Sequence, residues 1–449
     1  MIEPESFGAA GDGRRDDTAA LQAAFDRAEN GGVRLRAATY RVSDTLLLPT
    51  NTILDGGGAV IQSSGADRPI LASAAWAGRG GTRGRTRIER LRLHGTGRGE
   101  RQDGLVLHDF WSEIDRVEVV DTGGRGIVLV DEDRSGRRPS STLVENRIRD
   151  CVVRDARRAA FWLGPRAGGK LTDGELVGCI ASLARGASEP AVFIGHAAGW
   201  IVDRLHLYGG APRTACEIHQ PYFASLSNLY IEAFAEVGLG LHGVQTSVSV
   251  TNVHIVAQEA PDGGAFIATD RHRDFADPVL TLSNIALWNV EPRRLQALRA
   301  DPGVRVRPLN VALGGKGVAA IDRAGLDASA PAAAPSPRPD PRRAVQWSGA
   351  GAKIVEIAGE PDGAPFSHAL AIAITGRGAD GALASAFTGV LHWGRLAPDG
   401  PAPASLVPTG PSQGFQRPPE AVVERRGGAM VLSLVFAPAA PGMGMVSIG

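Results

Sequence analysis

One short pattern recurs along this chain: a turn-like polar pair followed by apolar-x-apolar. It reads Glu89-Arg90-Leu91-Arg92-Leu93, Asp115-Arg116-Val117-Glu118-Val119, Asp150-Cys151-Val152-Val153 and Gly178-Cys179-Ile180-Ala181. It returns at Asp203-Arg204-Leu205-His206-Leu207, Ser227-Asn228-Leu229-Tyr230-Ile231, Thr251-Asn252-Val253-His254-Ile255 and Ser283-Asn284-Ile285-Ala286-Leu287. With the first apolar residue as anchor, the steps are 26, 34, 28, 26, 24, 24 and 32 residues. Steps of that size, each carrying a short period-2 strand, specify a solenoid with one coil per repeat. A coil cannot bury its apolar face alone, so the repeats must stack into one rod.

A second pattern, small-apolar-x-apolar, lies between the anchors. Copies begin at Gly104-Leu105, Gly126-Ile127, Ala160-Phe161, Ala191-Val192, Ala215-Cys216 and Gly238-Leu239, with a looser one at Gly264-Ala265-Phe266-Ile267. Two different strands per coil predict an all-β fold, a right-handed parallel β-helix. No helical segment recurs between the strands, which disfavours a leucine-rich repeat. Strand alternation turns the flanking apolar residues inward and the middle residue outward.

Residues 16–29 read as a short helix capped by Asp16 or Asp17, with Ala20, Leu21, Ala24, Phe25 and Ala28 as its apolar stripe. Such a helix plugs the open end of a rod, where strand edges and core would meet water. Coils are expected from Val33 to about Val290, and a less regular stretch from there to 327 covers the far end. The domain assignment is therefore 1–327 for the β-helix, 328–343 for an Ala/Pro-rich linker, and 344–449 for a small β-sandwich. Within the last, 352–359, 368–375, 386–396, 421–425 and 430–436 alternate like strands.

The N-terminal residues Phe7-Gly8-Ala9-Ala10-Gly11-Asp12-Gly13-x-x-Asp16-Asp17-Thr18-x-Ala20-x-Gln22-x-Ala24-Phe25 resemble the opening of the pectate-lyase-3 superfamily. The resemblance runs on through Gly31-Gly32-Val33, Tyr40-Arg41-Val42 and Asp55-Gly56-Gly57-Gly58. That group includes glycoside-hydrolase-28-related proteins and many phage tailspikes. The usual Pro-x-Gly before the tyrosine is replaced by Arg36-Ala37-Ala38-Thr39. The resemblance implies the β-helix and a polysaccharide partner. It implies no particular reaction, because the fold hosts lyases, hydrolases, epimerases and non-catalytic spikes. Asp12, Asp16 and Asp17 belong to turn and cap and carry no catalytic role.

Stacking the coils brings outward residues into ladders. On the second sheet, Trp162 and Phe193 precede Glu217 and His219, followed by Gly240 and His242. Aromatic faces stack on sugar rings and the His/Glu groups bond hydroxyls, so this face is a candidate glycan strip. On the other sheet His206, Tyr230 and His254 form a column beside Tyr208 and Glu232. Tyr230, Glu232 and His254 are the candidate acid and base for β-elimination beside a uronate, with arginines from 98–101 and 134–138 to neutralise its carboxylate. Glu217, Glu232, Glu259 and Asp274 are the carboxylates that stacking can pair for glycoside hydrolysis. Either cluster reads equally as the packing face of a homotrimer, with mutually satisfied side chains.

Net charge is zero, which excludes a general attraction to nucleic acid or anionic membrane. Lys170, Lys316 and Lys353 are the only lysines among 48 basic residues. Coding bias accounts for this, and arginine is also the better fork for carboxylate-bearing glycans. Cys151, Cys179 and Cys216 read as small core residues. No spacing matches a zinc, calcium or phosphate-loop motif, so neither metal nor cofactor is expected. The start Met1-Ile2-Glu3-Pro4 lacks a basic-then-apolar segment, and no apolar run reaches membrane-spanning length. Synthesis in the cytoplasm without a Sec signal, and action outside the cell on a particle, follow as expectations. A tailspike- or fibre-like protein that binds, and in one version depolymerises, a bacterial surface or capsular polysaccharide is the leading expectation, attached to its particle by an adapter protein. A free lyase or hydrolase and a non-catalytic structural particle protein are the alternatives.

Overall fold

The computed structural model describes residues 1–327 except 80, 83, 166–168 and 259, and eight strand segments between 345 and 448. The first 331 residues and the remainder form two compact units.

Unit one is a right-handed parallel β-helix. One sheet has 15 strands, from Asp12–Asp16 to Arg305–Gly314, and the other has 11, from Leu46–Leu48 to Ile321–Asp322. The eight anchors from Leu91 to Ile285 lie in one column and are each at most 2% exposed. Burying such a side chain contributes roughly 1.5–3 kcal/mol. The second pattern also aligns, through Leu105, Ile127, Phe161, Val192, Cys216 and Leu239. Its last copy registers two residues later than the motif suggests, with Ile267 opposite Leu239. A third inward column, Ile88, Ile114, Ile148, Leu176, Val202, Leu226, Val250 and Leu282, accompanies the anchors.

Between this third column and the anchors the chain turns a corner. The residue before each of the eight anchors has φ between 51° and 69°. That is the left-handed region, which costs an ordinary L-residue about 1–2 kcal/mol and is least costly for Gly and Asn. The polar pair is therefore the corner of the coil. Late in the rod the corner is always Asn, and the amides form a ladder. Asn252 donates to Asn228 (3.2 Å), Asn284 to Asn252 (3.1 Å) and Asn310 to Asn284 (2.9 Å).

The helix is Thr18–Arg27, two residues shorter at each end than expected. Asp17 stands at the N-cap without a side-chain capping bond and instead ties down the Ala10 and Gly11 N–H groups, while Asp16, one residue before it, accepts the Thr18 N–H at 3.0 Å. Both acids are structural, as read from the sequence. Leu21 and Phe25 enter the core, and Gln22 exchanges two hydrogen bonds with the Leu47 backbone (2.9 and 2.8 Å). The helix thus occupies the edge of the second sheet that would otherwise be open. At the far end the expectation of irregular structure after Val290 gives way to regular strands. Leu295–Ala300, Arg305–Gly314 and Ile321–Asp322 complete further coils, and a short helix, Ala324–Asp327, follows.

All three cysteines are free and buried, and burial pushes the Cys216 thiol up to about 12. They are core residues.

In unit two the described strands form antiparallel sheets of five and three strands. The five expected segments fall on these strands. Val345–Gly349, Ala404–Pro408 and Gly442–Ile448 are additional. The 328–343 linker lies outside the described residues.

Leu229→Asp places an unpaired charge in a full column and is expected to abolish folding, checked by circular dichroism and solubility. A soluble variant with the wild-type melting temperature would contradict this register. At the Asn284 corner, Val is expected to lower the denaturant midpoint more than Gly does, because only Val adds backbone strain to the lost amide ladder.

Candidate functional site

The strands of the second sheet are mostly three residues long, with the middle residue outward, so one column runs the length of the rod. It reads Leu47, Ala72, Val106, Val128, Trp162, Phe193, Glu217, Gly240, Ala268 and Arg299. Its character changes from apolar to polar at Glu217.

Trp162 and Phe193 sit where the alignment puts them, but they do not offer a platform. Their rings stack on each other at 4.0 Å, and the Arg125 guanidinium lies 3.8 Å from the Trp162 ring. Arg125 forks onto Glu189 (2.7 and 2.8 Å), and Arg158 reaches the same carboxylate at 2.5 Å. Trp162 is 6% and Phe193 0% exposed. The expected sugar-stacking role of this pair is corrected: Trp162 is covered by Arg125, which the Arg–Glu–Arg bridge holds, and Phe193 is buried between the Trp162 ring and the His219 ring (5.3 Å).

Clefts open on either side of that bridge. The smaller, about 680 Å³, is lined by Glu217, His242, Asp270, Arg213, Glu236 and Arg299. Here the expected residues do converge. His219 and His242 are register partners, with ring centroids 5.0 Å apart, and Glu217 is opposite Gly240. His219 Nε2 lies 2.6 Å from Glu217 Oε1. His242 Nδ1 lies 2.8 Å from Asp270 Oδ2, and Asp270 Oδ1 accepts the Gly243 N–H at 2.6 Å. The Asp270 hydrogen bond holds His242 above the ordinary imidazole value. Burial pushes Asp270 up, but the bonds from His242 and Gly243 outweigh it and leave the carboxyl below its ordinary value. No sequence pattern singles out Asp270; only the registered coils show that its carboxylate returns to the histidine column. Glu217, His219 and His242 also form a three-donor group whose ligand atoms lie within 4.8 Å of one another, a grouping that no spacing rule flagged.

The larger cleft, about 1150 Å³, lies toward the helix and is lined by Gln22, Trp76, Asp103, Arg101, Arg134 and Arg158 among others. Sequence reasoning missed it. Trp76 and Asp103 come from turns between strands, where no periodicity marks them. The arginines of 98–101 and 134–138 were expected beside the tyrosine cluster; Arg101 and Arg134 instead line this cleft on the other sheet. Burial pushes the Asp103 carboxyl up to about 6, although the Arg125 N–H (2.7 Å) opposes it.

The first-sheet ladder forms as expected. His206, Tyr230 and His254 are register partners, and their rings stack at 4.9 and 5.2 Å. Tyr208 lies 5.1 Å from His206, and Glu232 Oε1 lies 3.7 Å from His206 Nε2. The hydrogen bond to Glu232 holds the Tyr230 hydroxyl above its ordinary value, the opposite of what a tyrosine base requires. Among the described residues, the Nε2 atoms of His206 and His254 have no hydrogen-bond partner. Glu259 lies outside the described residues, and Asp274 pairs with His272 (3.7 Å) in an exposed loop.

No protein-family model and no curated protein matches the chain. Among solved structures it is similar to the tailspike of Acinetobacter baumannii bacteriophage Fri1, a capsular polysaccharide depolymerase, at 12% identity over 100% of this chain and 85% of that one, TM-score 0.47. The A. baumannii phage AM24 tailspike aligns at 14% identity over 100% and 82%, TM-score 0.43. The A-module of the Azotobacter vinelandii mannuronan C-5 epimerase AlgE6 aligns at 17% identity over 70% and 99%, TM-score 0.45. With every one of these scores below 0.5, function has to be read from this chain's own clefts.

One buried acid lies apart from the clefts. Burial pushes Asp109 up to about 7, opposed by bonds from Thr86 and Ser73, and its Oδ1 has no partner. A carboxyl raised in the folded state stabilises fully below its unfolded value and loses that contribution as pH rises through about 7. Asp109→Asn is therefore expected to melt higher than wild type at pH 8, by up to roughly 4 kcal/mol, with the gap closing toward pH 4. Thermal melts across that range check this.

Proposed function

We propose that this protein is a tailspike- or fibre-like component of a phage or phage-like particle. It holds a bacterial surface or capsular polysaccharide along the outer face of the second sheet. The observation that carries this reading is the pair of open clefts on one outward column, on either side of the Arg125–Glu189–Arg158 bridge. Both are lined by mixed arginines and carboxylates, with Trp76 in one and His242 in the other, the donor–acceptor mixture that a polyhydroxylated chain uses. A linear polymer following the column meets both clefts. The N-terminal resemblance to a superfamily rich in tailspikes supports the same reading.

The tightly stacked His206, Tyr230 and His254 rings, with neither of the two clefts opening onto them, favour a packing role for the other ladder over lyase chemistry. We assign His206, Tyr208, Tyr230, Glu232 and His254, with the exposed Trp288, to contacts between copies in a homotrimer. The sheets of unit two are assigned to a small sandwich, and a separate adapter protein to the link with the particle.

His219→Ala with His242→Ala is expected to leave the melting temperature unchanged and to weaken retention on immobilised capsular polysaccharide at least tenfold. Loss of the trimer in that variant, seen by light scattering, would assign the face to subunit packing instead. New unsaturated or reducing ends on incubation with capsule would convert the binding reading into an enzymatic one.

A further inference from the structure

We infer that Glu217, His219 and His242 form a binding site for a divalent transition-metal ion of the zinc class. The inference stands on donor atoms alone and does not rest on the polysaccharide reading, although the two share a cleft. The parallel ladder makes the site. Glu217 and His219 are two residues apart on one strand, so both point outward, and His242 enters from the next coil directly beside His219. The donor set is two imidazoles and one carboxylate, a recurrent zinc combination that leaves a fourth position for solvent or ligand. The three donor atoms already lie within 4.8 Å of one another. Donors around a tetrahedral zinc lie about 3.4 Å apart, so small rotations at the ends of three side chains close the site.

Two further features fit an ion. Asp270 accepts from His242 Nδ1 (2.8 Å) and is itself fixed by the Gly243 N–H, the outer-shell carboxylate that orients a metal-binding histidine and leaves Nε2 as the ligand atom. Gly240 stands opposite Glu217, and a Cβ there would come within 2.9 Å of His242 Nε2, so the absent side chain leaves Nε2 its room. The side chains are 14%, 23% and 34% exposed for Glu217, His219 and His242, and Glu217 and His242 line the cleft. On binding, the ion takes the place of the proton shared by His219 Nε2 and Glu217 Oε1, and that proton leaves to solvent.

The test is calorimetric titration of untagged, chelator-stripped full-length chain with zinc chloride. One equivalent of zinc per chain is expected, together with a rise in melting temperature. Glu217→Gln with His242→Ala should lower the affinity at least about 100-fold, and Asp270→Asn about 10–100-fold. Matching melting temperatures of the stripped variants and stripped wild type guard against misfolding. If the double variant does not fold, anomalous scattering from zinc-soaked wild-type crystals replaces it: a peak among the three donors supports the site. No uptake, unchanged uptake in the double variant, or a peak elsewhere overturns it. The two readings fail separately. Zinc uptake without polysaccharide retention supports this site and sinks the groove, and retention without uptake does the reverse.

Discussion

Every juxtaposition in the rod is inherited from one constraint: backbone hydrogen bonds between successive coils hold the strands parallel and in register. Strands about 4.8 Å apart put each side chain over its counterpart one coil away. Inside, this makes a continuous apolar column. Outside, it converts residues 21 or more apart in sequence into neighbours, as with His219 and His242. The corners are part of the same constraint. A left-handed residue before each anchor turns the chain without breaking the ladder, and Asn in that position adds a side-chain ladder of its own.

Because the register is simple, much of the architecture was legible in the sequence. The eight anchors, the second inward column, the pairing of His206, Tyr230 and His254, and that of His219 with His242 all follow from counting along period-2 strands. The third inward column was not read, since it sits across the corner from the anchors and its residues precede the polar pair. The extra coils after Val290 were missed because Glu291-Pro292 and Pro302-Gly303 look like the end of a regular segment, whereas they are turns within it.

The candidate site was legible only in part, and the missing part has one physical cause. Strand periodicity predicts which residues leave the core but is silent on what then covers them. Trp162 and Phe193 point outward as deduced, yet Arg125, held by Glu189, closes over Trp162, and Phe193 is packed between Trp162 and His219. Trp76 and Asp103 reach the larger cleft from turns, with no repeat to announce them. Asp270 completes the histidine pair only because one coil later its strand lies beside His242. Loops thus decide which stretches of the outward ladder are open to solvent.

The steps between the eight anchors differ by as much as ten residues, from 24 to 34, while the strands keep alignment. The longest step, between Val117 and Cys151, spends its surplus on an excursion whose Arg134 reaches the larger cleft. Scaffold and rim are thereby decoupled. Segments at the turns differ in length without shifting the register of the strands, so what the rod can grip is set largely apart from how it stands.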